Sequence, residues 1–314
     1  MNSPEGRIIQ SQVPDEYDGW RLDKYLAARF TYFSRNRWTL EIQRGCITRN
    51  GRIAVKTDER VHFDDCISFN PGDQQEPEVD LNYTVLYEDE YLIAINKTGN
   101  LPVHPSGKFF QHTLLYHMEA AGNCKFYPVH RLDRETSGVI LFGKNSRTAS
   151  KLQNCLKTAV KTYIAVVRGT PLDKIFTTAA PLGNELDAPV SKKQGTRSLS
   201  VKSASTAFQV LYTNNTYSLI KALPRTGRYH QIRAHLEHAG FPIVGDKLYG
   251  GNQTCYLEFV KTGFSESLSN KLGFQRTALH ARSLKFHHPH LNKFMVVKAP
   301  LSPDLQGLLT QLFS

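Results

Sequence analysis

The chain has 314 residues, which is long enough for about two domains, each with a hydrophobic core of its own. Its content of 40% hydrophobic and 11% aromatic residues excludes a disordered protein. Lysine and arginine number 39 against 28 aspartates and glutamates, so the net charge is +11. No run approaches the roughly 18 apolar residues that span a bilayer, and the polar start contains no apolar signal-peptide core. These features predict a folded, basic, cytoplasmic protein with no membrane partner.

Charge divides the chain into three parts. Residues 21–56 contain nine basic and two acidic residues, whereas residues 57–90 contain one basic and eleven acidic residues. The remainder, 91–314, contains 28 basic and 11 acidic residues. Two basic modules separated by an acidic stretch favour a polyanionic partner. Nucleic acid is favoured over a membrane because the sequence contains no basic amphipathic helix.

The first module has the pattern helix, helix, hairpin. Apolar residues recur at helical spacing from Leu22 to Phe30, and Ser34 can cap a second helix that ends at Gly45. Asn50-Gly51 separates two short alternating runs and predicts a tight hairpin, because both residues tolerate positive φ.

Arginines crowd the second predicted helix and the hairpin, where several guanidinium groups could meet phosphates together. The alternative is an ordinary solvated arginine face. The residues predicted to bind RNA are Arg35, Arg37, Arg44, Arg49 and Arg52. This module resembles the small RNA-binding domain shared by a ribosomal small-subunit protein and tyrosyl-tRNA synthetases, through Arg21 to Leu26, Ser34-Arg35 and Gly45 to Gly51. The resemblance implies structured RNA as the partner.

The second module alternates strand-like runs with turn clusters. Tyr91 to Ile95, Val139 to Phe142 and Tyr163 to Val167 are apolar runs of strand length, and helical patterns are too few for repeated βαβ units. The prediction is an α+β protein in which the small helix-helix-hairpin domain precedes a domain with a mixed, largely antiparallel sheet.

The densest polar segment runs from His130 to Gly138 and leads directly into an apolar strand. Asp133 lies in the loop before this strand, where it could be held at the mouth of a pocket. On spacing alone, an Asx-turn or a surface ion pair is favoured, because such turns are abundant. Asp133 and Glu135 could also form the carboxylate pair of a hydrolase, but residues two apart point in opposite directions when extended.

A second polar cluster, from Pro224 to Leu236, begins as a turn and becomes helical. Arg233 could project from this helix towards a partner carboxylate. His230 and His235 are five residues apart, which disfavours a metal site on one helical face, so ordinary hydrogen-bonded histidines are expected. His287 to His290 is interpreted as a loop. The sequence contains no Gly-rich phosphate loop and no metal motif, and neither a metal nor a cofactor is predicted.

Together the two clusters resemble the signature segments of the ribosomal large-subunit pseudouridine synthase family. The matching segments occur in family order; they are His130-Arg131-Leu132-Asp133, Thr136-Ser137-Gly138, Lys161-Thr162-Tyr163, Gly227-Arg228, His230-Gln231-Ile232-Arg233, His235-Leu236, Gly245-Asp246, Tyr249-Gly250, Leu279-His280-Ala281, His288-Pro289 and Ala299-Pro300-Leu301. The chain departs from the family at Lys97-Thr98-Gly99-Asn100, where Lys-Pro-x-Gly is usual, and at Tyr229, where threonine is common.

The resemblance implies an isomerase that detaches uracil from the sugar of a uridine and reattaches it through carbon 5, without a cofactor. It assigns the catalytic carboxylate to Asp133, either as nucleophile on the sugar or as base at the adjacent sugar carbon. Arg233 would pair with Asp133, and Tyr163 would stack on the uracil and assist removal of the carbon 5 proton. Arg131 would occupy the place that the flipped uridine leaves in the RNA.

The predicted organisation is a flexible segment (1–17), an RNA-binding domain (18–72), a linker (73–80) and a catalytic domain (81–314). A monomer is expected. The expected partner is structured RNA, in the form of large-subunit (23S) ribosomal RNA or a ribosome-assembly intermediate, with tRNA as the alternative. The competing prediction from another class is a non-catalytic RNA-binding protein of ribosome assembly.

Overall fold

The structure, a computed structural model, describes residues 9–30, 33–54, 56–70, 76–106, 109–122, 124–186, 188, 190, 193–198, 200–250, 254–262 and 264–314. The described backbone divides into two units. The first unit contains the residues up to Glu78 together with 104–113, and the second contains residues 79–103 and the chain from Leu114 onwards.

The described part of the first unit contains two helices and a four-stranded antiparallel sheet, in which the strands are ordered β1-β4-β2-β3. The elements are β1 (Ile9–Gln12), α1 (Leu22–Arg29), α2 (Arg35–Gln43), β2 (Ile47–Arg49), β3 (Arg52–Ile53) and β4 (Cys66–Phe69). The predicted helix, helix, hairpin order is confirmed. The Ser34 hydroxyl accepts a hydrogen bond from the Arg37 amide at 3.3 Å, and Asn50 and Gly51 take φ values of 51° and 79° in the hairpin turn.

The structure differs from the prediction that residues 1–17 are flexible. From Ile9 onwards this segment is ordered, because β1 pairs with β4 and residues Asp15–Tyr17 form a short 3-10 helix. Strand pairing satisfies backbone groups, so a polar segment without apolar alternation can still join the edge of a sheet. Residues 1–8, and residues 73–75 of the predicted linker, lie outside the described residues.

The core of the first unit is aromatic and receives a contribution from a distant segment of the chain. Trp38 and Tyr25 are fully buried, and Phe33 packs edge-on against both Trp38 and Phe69. Phe110, from the segment 104–113, packs against Phe33 and Phe69 with ring centroids 5.4 and 5.8 Å away. Nothing in the local sequence indicated that this segment belongs to the first unit.

The second unit is built on a large mixed sheet whose described strands follow the order β10-β13-β14-β9-β15-β8-β6-β5, with β16 beside β15 and β7 beside β8. The strands of the second unit are β5 (Tyr83–Glu88), β6 (Leu92–Lys97), β7 (Tyr127–Pro128), β8 (Ser137–Gly143), β9 (Val160–Arg168), β10 (Ile175–Thr178), β11 (Gly183–Asn184), β12 (Gln194–Gly195), β13 (Thr206–Thr213), β14 (Tyr217–Pro224), β15 (Leu279–His287) and β16 (Phe294–Lys298). Strands β11 and β12 pair with each other in a separate two-stranded sheet. The helices are α3 (Leu114–Gly122), α4 (Ser146–Cys155), α5 (Gln231–His238), α6 (Thr254–Thr262), α7 (Glu266–Leu272) and α8 (Pro303–Phe313).

The predicted α+β class with a largely antiparallel sheet is confirmed. The three apolar runs chosen from the sequence lie in or overlap β6, β8 and β9 in the middle of the sheet, where β8 is buried along its whole length. The pairs of this sheet are antiparallel except β8 with β15, which is parallel. Within the described ranges, the structure contains no helix of sufficient length and apolarity to cross a membrane.

Candidate active site

Asp133 lies in the loop between β7 and β8, as the sequence predicted. The Thr136 amide closes the turn by donating to the Asp133 carbonyl at 3.1 Å. The ammonium group of Lys97, a residue that is 1% exposed, donates to the carbonyls of Arg134 and Leu101 at 3.0 and 2.9 Å. Burial holds the pKa of Lys97 well below its usual value. A buried donor therefore fixes the backbone next to Asp133.

Arg233 projects from the first turn of α5 and meets Asp133, although the two residues are far apart in sequence. Its Nη1 donates to Asp133 Oδ2 at 2.9 Å, so the predicted contact is present. Its Nε and Nη2 donate to the two carboxylate oxygens of Asp246 at 2.6 and 2.9 Å. Asp246 also accepts the amides of Leu248 and Tyr249, each at 2.9 Å. A bidentate pair with a fixed carboxylate thus orients the guanidinium group that reaches Asp133.

The charges around Asp133 keep it ionised. Burial raises the pKa of its carboxyl group, but electrostatic interactions with His230 and Arg233, together with the hydrogen bond from Arg233, outweigh burial, and the net shift is downwards. His230 lies 3.7 Å from Asp133 Oδ2, and burial together with the charge of Arg233 lowers its own pKa to about 3. His230 is therefore neutral at neutral pH, and Arg233 is the cation that keeps Asp133 negative.

Asp133 and Arg233 open onto a cleft of about 640 Å³ in the second unit. Tyr163, on β9, contributes its ring to this cleft and also packs against the hydrophobic core. Burial and the negative charge of Asp133 raise the pKa of Tyr163 to about 12, so its hydroxyl is protonated at neutral pH. The structure therefore brings the three predicted catalytic residues together. Tyr163 lies between the cleft and the core and contacts both.

The cleft is lined by cations in addition to Arg233. Arg131 is exposed beside Asp133, and its guanidinium carbon lies 5.0 Å from the ring centroid of Tyr229. The remaining cationic side chains of the lining are Lys157, Lys161, Arg225 and Arg228. No ion pair is recorded for these four within the described part of the chain. A cleft of this composition suits a ligand that carries negative charge and an aromatic ring.

Glu135 does not share the cleft with Asp133. Its carboxylate accepts hydrogen bonds from the Lys247 ammonium group at 2.9 Å and from the Thr277 amide at 2.9 Å. Burial raises the pKa of Glu135, but the charges of Lys247 and Arg134 outweigh burial and lower it to about 2. The two carboxylates therefore have different partners, and Glu135 ties the loop to the segment before β15.

In the first unit, most arginines predicted to bind RNA are paired with carboxylates that are buried. The pairs are Arg35–Asp23 at 2.7 Å, Arg37–Glu41 at 2.5 Å, Arg44–Glu41 at 3.6 Å and Arg49–Asp65 at 2.7 Å. These arginines remain partly exposed, but each also balances a charge inside the unit. Arg52, in the hairpin, is exposed and has no recorded ion pair within the described residues.

His230 and His235, the histidines of the second polar cluster, are hydrogen-bonded, as expected. His235 contacts the Thr206 hydroxyl and the Ala180 carbonyl, each at 2.9 Å. His288 contacts Asp89 at 3.0 Å. Among the residues that the structure describes, no group of histidine, cysteine and acidic side chains is arranged to hold a metal ion.

Sequence reasoning missed the residues that contact the predicted catalytic residues or their neighbours. Asp246 orients Arg233, Lys97 holds the loop backbone, and the Tyr249 hydroxyl contacts His230 Nδ1 at 3.1 Å. Gly245-Asp246 and Tyr249-Gly250 were recognised only as family segments. The sequence showed only that Asp246 follows a glycine. The role of Asp246 became clear once the structure showed that it binds Arg233.

Comparison with known proteins shows which family this chain resembles. Residues 91–238 match the model of the family described as RNA pseudouridylate synthase. A ribosomal large subunit pseudouridine synthase D from Xanthomonas campestris is 32% identical over 98% of this chain and 93% of its own length. An uncharacterised RNA pseudouridine synthase from Chlorobaculum parvum is 33% identical over 93% of this chain and 94% of its own. The solved structure of human RNA pseudouridylate synthase domain containing 4 is 26% identical, with a TM-score of 0.58, and the match covers 73% of this chain and 92% of that one.

The chain therefore belongs to the RNA pseudouridine synthase family, as its motifs predicted, and it is an isomerase that acts on RNA. It is neither the hydrolase nor the non-catalytic assembly protein that the sequence left open.

Proposed function

We propose that this protein isomerises specific uridines of large-subunit (23S) ribosomal RNA, as a monomer in the cytoplasm. The observation that carries the reaction is the 2.9 Å contact between Arg233 and Asp133 inside a cationic cleft. Relatives that are 29%, 32% and 31% identical to this chain are named ribosomal large subunit pseudouridine synthase D, which supports ribosomal RNA as the substrate.

Asp133 is the proposed catalytic group. The reaction breaks the bond between uracil N1 and the anomeric carbon of the sugar and forms a bond from that carbon to uracil C5. The C5 proton is lost and N1 gains one, so neither water nor a redox partner is consumed. An ionised carboxylate is needed whether Asp133 attacks the anomeric carbon or removes a proton from the adjacent carbon, and Arg233 maintains that charge.

Tyr163 is the proposed stacking surface for the flipped uracil. Its ring lines the cleft, and its raised pKa means that it enters the reaction as a neutral phenol. A neutral phenol can take up the C5 proton only if it gives its own hydroxyl proton to another acceptor. The target uridine is buried in stacked RNA, so it must leave the stack at a cost of a few kcal/mol. Arg131 is proposed to take its place there.

The first unit is proposed to dock structured RNA. Its outward arginines, Arg35, Arg37, Arg44, Arg49 and Arg52, keep part of their guanidinium surface exposed. Phosphate contacts of this kind add affinity without sequence preference, and the cleft supplies the chemistry.

The proposal is tested by mapping pseudouridines in total RNA from cells with and without the gene. Loss of one or more sites from 23S ribosomal RNA, restored by the wild-type gene but not by Asp133→Asn, is expected. Loss confined to tRNA would support the alternative substrate instead. An unchanged map in every RNA would contradict the proposal.

A further inference from the structure

The cleft contains a stack of three side chains, and the reaction as described uses only one of them, Arg131. The ring of Tyr229 lies on the ring of His230, with centroids 3.7 Å apart and planes inclined by 25°. The guanidinium carbon of Arg131 lies over the Tyr229 ring, 5.0 Å from its centroid. Arg131, Tyr229 and His230 thus form one stack beside Asp133.

This stack is held in place at the His230 end and exposed to solvent at the Arg131 end. His230 is the N-cap of α5 in a left-handed conformation, with φ of 54°, and its Nδ1 contacts the Tyr249 hydroxyl at 3.1 Å. Tyr229 is half-buried, whereas Arg131 is exposed. Neither the Tyr229 hydroxyl nor the Arg131 guanidinium has a hydrogen-bond partner recorded in the described part of the chain. The Tyr229 ring is therefore the aromatic surface against which the Arg131 guanidinium rests.

An exposed arginine side chain without a partner samples many rotamers, and fixing it on RNA costs free energy. A guanidinium held over the face of an aromatic ring has already lost much of that freedom. Planar guanidinium groups and aromatic rings are also the surfaces on which unstacked bases rest. The Arg131 guanidinium over the Tyr229 ring is thus a preorganised surface for an RNA base.

Resting on the proposed function, we propose that Tyr229 is a positioning residue. It holds Arg131 as a planar surface for the base next to the target uridine. The threonine common at this position in the family has no ring on which a guanidinium group can lie. The stabilised arginine is thus a feature of this chain.

The first test measures binding, not turnover. The probe is a short hairpin RNA with one loop uridine flanked by adenosines, and two further probes lack either the 5′ or the 3′ neighbouring base. Tyr229→Thr should weaken binding of the intact hairpin roughly 3- to 10-fold, the value of one pre-ordered side chain. On one of the two abasic probes the variant and the wild type should bind equally. Tyr229→Phe, which keeps the ring, should restore binding, and Tyr212→Ala, an exposed tyrosine outside the cleft, is the matched control.

The second test asks whether Tyr229 acts through Arg131. Arg131→Lys keeps the charge but removes the plane, so Tyr229→Thr should have little further effect in that background. The slope of log affinity against log salt should not change with Tyr229→Thr, because no charge is removed.

Three results would overturn the proposal. The first is that the wild type does not bind the hairpin. The second is that Tyr229→Thr weakens binding equally on all three probes. The third is that the effects of Tyr229→Thr and Arg131→Lys on affinity are fully additive. Uridine conversion by the wild type without coupling at Tyr229 would refute the positioning role and leave the proposed function intact. If Tyr229 and Arg131 were coupled in binding but the protein converted no uridine in any cellular RNA, the proposed function would be refuted and the positioning role would stand.

Discussion

At the scale of single residues, the site depends on two side chains that water reaches only in part. The Asp133 side chain is 20% exposed and the Arg233 side chain 11%. Burial by itself favours the neutral carboxyl, so the charge of Asp133 depends on its partner. Asp246, which is fully buried, holds that partner through two hydrogen bonds. The charge of Asp133, the proposed catalytic group, thus depends on two consecutive ion pairs.

Asp133→Asn should abolish pseudouridine formation while RNA binding changes little. The substitution is nearly isosteric, and the amide oxygen can still accept from Arg233, but the ionisable group is lost. We expect a fall in single-turnover rate on the order of 10³-fold or more. Asp173→Asn, at an exposed position outside the cleft, is the control and should retain full rate. A near-normal rate for Asp133→Asn would remove Asp133 from the catalytic role.

Removing Arg233 should move the acid limb of the pH–rate profile upwards. Arg233→Met is best combined with Asp246→Asn, because Asp246 would otherwise be left as an unpaired buried charge. In the wild type the pKa of Asp133 is lowered, so activity persists until the pH falls through that low value. In the double variant the pKa should rise by roughly 1–3 units, and activity should be lost at correspondingly higher pH. An unchanged acid limb would show that Arg233 does not control the charge of Asp133.

At the scale of elements, the loop that contains Asp133 leads into a strand that requires glycine. Gly138 has φ of 109°, and it lies opposite Ala281 in the parallel pair of β8 with β15. A Cβ at this position would collide with the backbone of Ala281. The close approach of β8 and β15 places the loop with Asp133 next to the middle of the sheet.

Gly138→Ala should destabilise the second unit by about 2 kcal/mol or more, since both the backbone angle and the space oppose a side chain. Gly307→Ala is the matched comparison. Gly307 lies inside α8, and a Cβ added there would meet no atom within 4 Å, so alanine should stabilise the protein by up to about 1 kcal/mol. Urea denaturation of the two variants measures both effects, and similar stabilities for the pair would contradict this account of β8.

At the scale of the whole molecule, positive charge has two different surroundings. Four of the predicted RNA-binding arginines in the first unit pair with buried carboxylates, whereas the rim cations of the cleft have no recorded ion pair in the described ranges. A charge already paired inside the protein has less to gain from a phosphate. Net charge per module, which suggested RNA binding, does not distinguish the two cases.

Single charge removals should therefore separate the contributions of the two units. Arg52→Gln should lower the slope of log affinity against log salt by about 0.7 to 0.9 on structured ribosomal RNA, and should have no effect on a short hairpin that fills only the cleft. Arg225→Gln, on the cleft rim, should lower the slope on both RNAs. If Arg52→Gln left the slope on structured RNA unchanged, the first unit would not dock RNA through this hairpin.

Local features of the chain were determined by the sequence alone. The helix cap at Ser34, the turn at Asn50-Gly51 and the buried strand after Gly138 each depend on residues within a few positions of one another, so propensity and periodicity suffice to predict them. The resemblance of the motifs to a family went further and paired Asp133 with Arg233. Spacing alone favoured an ordinary turn or surface ion pair at Asp133.

Only the tertiary structure decided which distant groups meet. Asp133 and Arg233 are 100 positions apart, Glu135 and Lys247 are 112 apart, and neither distance carries a periodic signal. The same holds for Phe110 in the core of the first unit, for the carboxylates that pair with its arginines, and for Arg131 over Tyr229. Such contacts depend on how strands and helices pack across the whole unit. That packing is the sum of many weak interactions, and no short segment of the chain contains it.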